Sequence, residues 1–479
     1  MTEPISGNAL DIDDLETPIC IVGGGPAGLS LSMGLTSAKV PHVLLESGGI
    51  EIGDAQELNV GQNVGRKYDL PDETRVRALA GTLNVWGGHC GPLQPHDFEK
   101  RDWIENSGWP ITFDEFEPWL APAAKSLHLE NRWKADALGT EYRKHVRTGH
   151  GRFDLRTFKL APVYGDGNPI HVGNYWQFNQ PHIGARIILD TTVRHLNFSE
   201  SGELETIDAV RSDGRPLRIK ARHFVIAAGG IETARLLLIN QRRLDGPLKA
   251  HGTIGKYFME HPHIGNAGRT WFGVTRPHRL FFGDRFRDQS VSLWRFFLSP
   301  QAQRDYGIGG VAPYLSHISH SKTDEDSLLA NVSRTRLFTE QVPNEYSQIR
   351  ISDSEVDRLG DPLVQVDWQL HEQDLRTIEL GVELFAHEIG IHDFGRFQAK
   401  VPTPEKPRSI RGGHHHMGTV RMADTISKGV VNRDLKVFGT NNLYLAGPGA
   451  FPTSGATNPT MNAIALSFRL AEHLAKEIS

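Results

Sequence analysis

Pro18-Ile-Cys-Ile-Val-Gly-Gly-Gly-Pro-Ala-Gly-Leu29 is the stretch that decides how this chain folds. Pro18–Val22 is a short apolar strand. Gly23, Gly25 and Gly28 follow as G-x-G-x-x-G, and the residues after them read as a helix. Pro41-His-Val-Leu-Leu45 is a second strand, closed by Glu46. That acid lies 18 residues after Gly28, near the interval of about 20 found in dinucleotide-binding units. Each part has a physical reason. Gly23 permits the tight turn, Gly25 lets backbone approach a pyrophosphate, and Gly28 lets helix and strand pack closely. The helix N-terminus offers free N–H groups and partial positive charge to phosphate. Glu46 can accept hydrogen bonds from ribose hydroxyls, and its charge repels a 2′-phosphate. NADP is therefore disfavoured, while FAD and NAD both fit this segment.

The 479 residues are enough for two or three domains. With 52 basic and 57 acidic side chains the formal charge is −5, which disfavours a basic nucleic-acid binder. No apolar run reaches the roughly 18–20 residues of a membrane span. The first residues, MTEPISGNALDIDDLE, are acidic and lack the apolar core of an export signal, so the expected compartment is the cytoplasm. Cys20 and Cys90 are the sole cysteines. Two thiols neither staple a chain of this size nor build a four-thiolate metal site, and both read as structural.

Thr112-Phe-Asp-Glu115 is a capping box opening a helix to about residue 127. Residues 186–226 alternate apolar and polar, with Arg211-Ser-Asp-Gly214 as a hairpin turn. Phe224–Ala228 is a buried strand ended by Gly229-Gly230, and residues 231–242 read as a helix. Leu443–Ala446 is a further buried strand, and Met461–Ile478 an amphipathic helix. Nucleotide-site character thus occurs at both ends of the chain. The expected fold class is α/β (α+β overall): a discontinuous Rossmann-type domain with an inserted sheet-and-helix substrate domain. The expected cofactor domain is 1–100, 186–265 and 412–479; the expected substrate region is 101–185 and 266–411.

The most specific stretch is His414-His-His-Met-Gly-Thr-Val-Arg-Met422, followed by Asn442–Gly447 and Asn458-Pro-Thr-Met461. It resembles the C-terminal signature of the glucose–methanol–choline (GMC) family of FAD-dependent oxidoreductases. Ile21–Gly28 resembles the family's FAD fingerprint, and Gly81-Thr-Leu-Asn-Val-Trp-Gly-Gly88 its flavin-contacting loop. Val225–Gly229 with Arg235-Leu-Leu237 and Gly255–Pro262 resemble two further blocks. Ala446-Gly-Pro-Gly449, where many members have an acid, and Trp86-Gly-Gly88 followed by Gly108-Trp-Pro110 resemble the bacterial pyranose- and glycoside-oxidase-like branch.

The resemblance implies FAD-dependent oxidation of an alcohol on a sugar, glycoside or related polyol, by hydride transfer to flavin N5. Other alcohols (an aminoglycoside, a cyclitol, an aryl alcohol) and a redox-neutral FAD-containing lyase are alternatives. Oxygen, a quinone or a redox protein would reoxidise the flavin. The family places its base three positions before the Gly of a Gly-Thr pair, here His415 before Gly418-Thr419, and a His or Asn partner at the last helix, here Asn458. The cofactor contacts it implies are Gly23, Gly25, Gly28, Glu46, Thr82, Asn84, Val85, Val193, Ala228, Gly229, Gly447, Asn458 and Thr460. Some members bind FAD covalently through a histidine before the tryptophan-like position. Val85 stands there, so FAD is expected to be noncovalent. Gln341, Asn344 and His416 are candidate substrate ligands, with His416 also the alternative base. Phe281, Phe282, Trp294, Phe296 and Phe297 can stack on sugar faces, although such clusters are more often core. Three consecutive histidines on a strand point to alternating faces, and no metal is expected. His261 and His263 read as structural.

Overall fold

The computed structural model describes residues 4–69, 74–127, 129, 151–160, 185–243, 246–272, 284–285, 291–317, 332–400, 403, 405 and 408–478. Strand Asp14–Val22 pairs in parallel with His42–Leu45 on one side and with Pro216–Ile226 on the other. His42–Leu45 continues in parallel to Ala185–Leu189, and the end of Pro216–Ile226 pairs in parallel with Leu443–Leu445. Ile19–Val22 are buried, as the centre of such a sheet requires. The start of Pro216–Ile226 stays paired with Asp14–Thr17 and, on its other edge, extends the same sheet as an antiparallel meander with Leu204–Arg211 and Thr191–Phe198, turning through the expected Arg211–Gly214 hairpin.

The chain leaves Val22 for one side of the sheet and returns on the other side at Ile226. The crevice beyond those two strand ends is the switch point where open α/β sheets take ligands. Helices Pro26–Ser37 and Thr460–Ile478 pack on each other. The turn into the first of them depends on Gly28: a Cβ there would stand 2.0 Å from the Gly23 carbonyl oxygen.

A second core gathers around the antiparallel sheet Val311–His317, Val332–Thr339, His263–Phe272 and Gly395–Ala399, with helix Glu372–Ile391 against it. Phe296 lies in this core, and Phe297 is buried with Ala312, Phe338 and Ala456, so both serve packing. Phe281, Phe282 and the Trp294 side chain lie outside the described residues. Two segments assigned to the substrate region pack otherwise. Ile111, Phe116 and Leu120 belong to the larger core, as do Ile349, Val364, Val366 and Trp368. Strand Pro362–Asp367 pairs with Gly61–Asn63 and contacts helix Gly229–Arg243. The interleaved division stands as a proposal, with these two segments moved to the cofactor side.

Candidate active site

At the switch point lies a cavity of about 190 Å³, open to solvent. Gly23, Gly25, Glu46, Thr82, Val193, Ala228, Gly229, Gly447 and Thr460 all line it, together with His414, His415 and His416. The glycine motif and the histidine segment, from opposite ends of the chain, therefore share one cavity. Arg75, Arg77 and Glu232 also line it and are joined by ion pairs of 2.7 and 2.9 Å. No sequence motif marked them.

The histidine segment is held by a second stretch, Tyr257–His263. Met259 and Met417 exchange backbone hydrogen bonds of 2.9 and 3.0 Å, which sets His261 opposite His415. His263 then pairs with Arg411, two residues out of that register, so the extra backbone of Gly412–His414 must bulge. The buried Glu260 carboxylate fills the bulge. It accepts from the backbone N–H groups of Gly413 and His415 and from the Tyr68 hydroxyl. Gly418 closes the segment at φ +81°, where a Cβ would stand 2.1 Å from the Tyr257 carbonyl oxygen.

His415 is thereby presented to two partners. Its Nδ1 lies 2.8 Å from His261 Nδ1, and its Nε2 lies 3.0 Å from Asn458 Nδ2. Arg295, on strand Val291–Leu298, donates from Nη1 to Asn458 Oδ1 at 3.4 Å and from Nη2 to His89 Nδ1 at 2.7 Å. The arginine is buried, with its guanidinium carbon 4.7 Å from the Tyr314 ring centroid. Burial brings its pKa down to about 10, which leaves it cationic at neutral pH. The imidazoles around it are neutral. Burial lowers His89 and His263 to about 3, aided by Arg295 and by neighbouring histidines. Burial also sets His415 well below the ordinary histidine range, and the adjacent His261, His263, His416 and His414 add to the shift. A neutral imidazole thus faces the cavity beside a buried cation, able to accept a proton.

Several of the expected residues are engaged elsewhere in the fold. Gln341 is fully buried, and its amide is used by the Glu260 N–H, the Trp368 indole and the Gln369 carbonyl. Asn344 accepts from Tyr346 N in a local turn. Neither lines the cavity. His416 turns its Nε2 to the Tyr68 hydroxyl at 3.0 Å, away from Asn458. Asn84 spends its amide on the Leu79 and Gly81 carbonyls, and Val85 is 56% exposed; both shape the loop rather than line the cavity. Conversely, His261 and His263, read as structural, both stand against the His415 ring, although neither lines the cavity itself. The His263 ring stands 5.9 Å from that of His415, and its buried Nε2 has no protein partner among the described residues. The signal was present in Glu260-His-Pro-His263, but its pairing partner lies far along the chain. Arg295 and His89 carried no signal.

Residues 343–467 match the family model described as GMC oxidoreductase. A C-glycoside 3-oxidase of Microbacterium trichothecenolyticum is 31% identical over 448 residues, covering 88% of this chain and 80% of the relative. The chain belongs to the GMC oxidoreductase family. This GMC enzyme is also 22% identical to a 2-methyl-1,2-propanediol dehydrogenase of Mycolicibacterium austroafricanum, over 97% of its own length and 96% of the relative's. Its fold matches that of pyridoxine 4-oxidase from Mesorbium loti with a TM-score of 0.61, at 16% identity, covering 95% and 99% of the two chains. The GMC enzyme is an FAD-dependent oxidoreductase acting on alcohol groups, and its cavity suits that cofactor. A Cβ at Gly25 or Gly229 would meet nothing within 4 Å, so the backbone there opens directly on the cavity. Helices Pro26–Ser37 and Thr460–Ile478 both begin at it, aiming two positive ends at anionic groups. Glu46, held by the N–H groups of Gly24 (2.7 Å) and Gly48 (2.9 Å), is placed for ribose hydroxyls. Among the described residues, no helix is long and apolar enough to cross a membrane.

Proposed function

We propose that this enzyme oxidises a secondary or primary alcohol of a sugar or glycoside, with His415 as the proton acceptor. The observation that carries the reading is the pairing of His415 Nε2 with Asn458 Nδ2 at 3.0 Å, His415 itself lining the cavity with the glycine motif. His415 takes the hydroxyl proton at Nε2. Asn458 Nδ2–H donates to the same oxygen as its charge grows, and Arg295 holds the far end of that amide. Bound FAD supplies the acceptor for the hydride leaving the carbinol carbon. The carbon becomes a carbonyl, and the proton and hydride leave by separate routes. His263 Nε2 supplies a free polar contact for a neighbouring hydroxyl, the kind of group a sugar carries beside the reacting carbon. The likeness to a C-glycoside 3-oxidase supports a sugar or glycoside over a simple alcohol.

An anaerobic screen tests the reading. The visible absorbance that makes the oxidised flavin yellow should bleach with at least one pyranose or glycoside, and return with oxygen or an artificial acceptor. Bleaching by small diols or aryl alcohols alone would remove the sugar assignment. Absence of bleaching by any alcohol, alongside turnover without redox change, would favour a lyase. The reading also holds FAD noncovalently, since valine at position 85 has no nucleophile to offer. Acid precipitation should release all the flavin to the supernatant; colour that survives washing would overturn this.

A further inference from the structure

The hydrogen bonds around His415 form a chain whose direction is settled at both ends. At one end, His261 Nε2 faces the carbonyl oxygens of Gly455 at 2.9 Å and Ser454 at 3.3 Å. Carbonyl oxygens only accept, so this nitrogen carries a hydrogen. A neutral imidazole then has a bare Nδ1. His261 is neutral because complete burial lowers it to about 4; Arg295 works in the same direction, and the charge of Glu340 opposes it. The two Nδ1 atoms are 2.8 Å apart, and with His261 bare at that position the hydrogen between them belongs to His415. At the other end, Arg295 can only donate, which turns Asn458 Oδ1 toward it and Asn458 Nδ2–H toward His415. Both ends therefore ask the same of His415: hydrogen on Nδ1, lone pair on Nε2.

A neutral histidine side chain in water favours the opposite tautomer, with hydrogen on Nε2. In that form His415 would set an N–H against the N–H of Asn458 and a bare nitrogen against a bare nitrogen of His261. We infer that His261 is a positioning residue that fixes His415 as its Nδ1–H tautomer, so that the basic lone pair points at the substrate hydroxyl. The geometry that makes this possible is the register of Met259 with Met417, which puts the two rings opposite each other. Phe338 stacks on the His261 ring with centroids 4.3 Å apart and keeps its plane fixed. The role resembles that of an acceptor behind a general base elsewhere in enzymology, but here a neutral imidazole does it and adds no negative charge to the site.

This inference rests on His415 being the base, and its test is independent of that reading. Holoenzyme carrying ¹⁵N-histidine can be examined by long-range proton–nitrogen correlation, with His415 assigned by its loss in His415→Gln. The expected signature is a protonated, pyrrole-type Nδ1 and a bare, pyridine-type Nε2 on His415. His261→Leu removes the acceptor, and both His415 nitrogens should shift toward tautomer-averaged positions. His261→Asn keeps an acceptor oxygen near the old Nδ1 position, and the wild-type pattern should return. A pyridine-type Nδ1 on His415 in the wild-type holoenzyme overturns the inference outright, even if neither variant folds. An unchanged His415 spectrum in folded His261→Leu overturns it as well. If His415 proves dispensable for flavin reduction, the base assignment fails while the tautomer result still stands or falls on the spectrum.

Discussion

His415→Ala should keep its fold and its FAD yet lose flavin reduction by a factor of ~10²–10⁴, the usual worth of a positioned base. That is about 3–5 kcal/mol on the barrier. The expectation follows from the cavity's geometry. His415 Nε2 faces Asn458, whereas His416 is spent on Tyr68. His416→Ala should therefore reduce at a rate within a few-fold of wild type. Asn458→Ala should sit between the two, because one donor to the developing alkoxide is lost while the base remains. Asn458→His should be partly tolerated, since histidine also presents an N–H. Anaerobic stopped-flow reduction with the alcohol found by bleaching is the measurement. Near-normal reduction by His415→Ala, or a collapse in His416→Ala with FAD retained, would move the base to the other ring.

The second large effect is expected at Gly28. A methyl there would be forced to within 2.0 Å of the Gly23 carbonyl oxygen, and that oxygen belongs to the turn between sheet and helix. Backbone cannot yield as a flexible side chain does. Overpacking of this kind costs ~1–3 kcal/mol and sometimes more. The strain is released by shifting the start of helix Pro26–Ser37, which is where the cavity needs its N–H groups. Gly28→Ala should thus be less stable to denaturant and purify with most of its FAD missing. Full flavin content in Gly28→Ala at wild-type stability would contradict the argument.

The cofactor half of this site is legible in the sequence because it is local. Strand, glycines, helix, strand and acid follow one another within residues 18–46, and each has a short-range reason to be there. The C-terminal strand and helix are legible for the same reason. The catalytic half is legible only through the resemblance, which points to His415 and Asn458. What surrounds them is set by pairing across the fold. His261 matters because Met259 is in register with Met417, and no local pattern announces that. Arg295 is the lone charge in the mostly apolar strand Val291–Leu298, and no local pattern says what it faces. Gln341 misleads in the opposite direction: its polar side chain is consumed in tying Glu260 to Trp368 and Gln369. Polar type in a substrate lobe thus says little until the hydrogen-bond partners are counted.

Strand Leu443–Leu445 completes the central sheet against Phe224–Ile226, and the last helix starts at the cofactor cavity. A ribosome working at roughly 5–20 residues per second needs tens of seconds to travel from the glycine motif to that helix. Throughout that time the nascent sheet has a bare edge along Phe224–Ile226, and the cofactor crevice lacks a wall. Flavin capture therefore waits until helix Thr460–Ile478 has been made, and the apoprotein is the species that must avoid pairing its open edge with a neighbour. Riboflavin supply during expression should accordingly govern how much of the newly made chain escapes aggregation, in addition to how much of it is coloured.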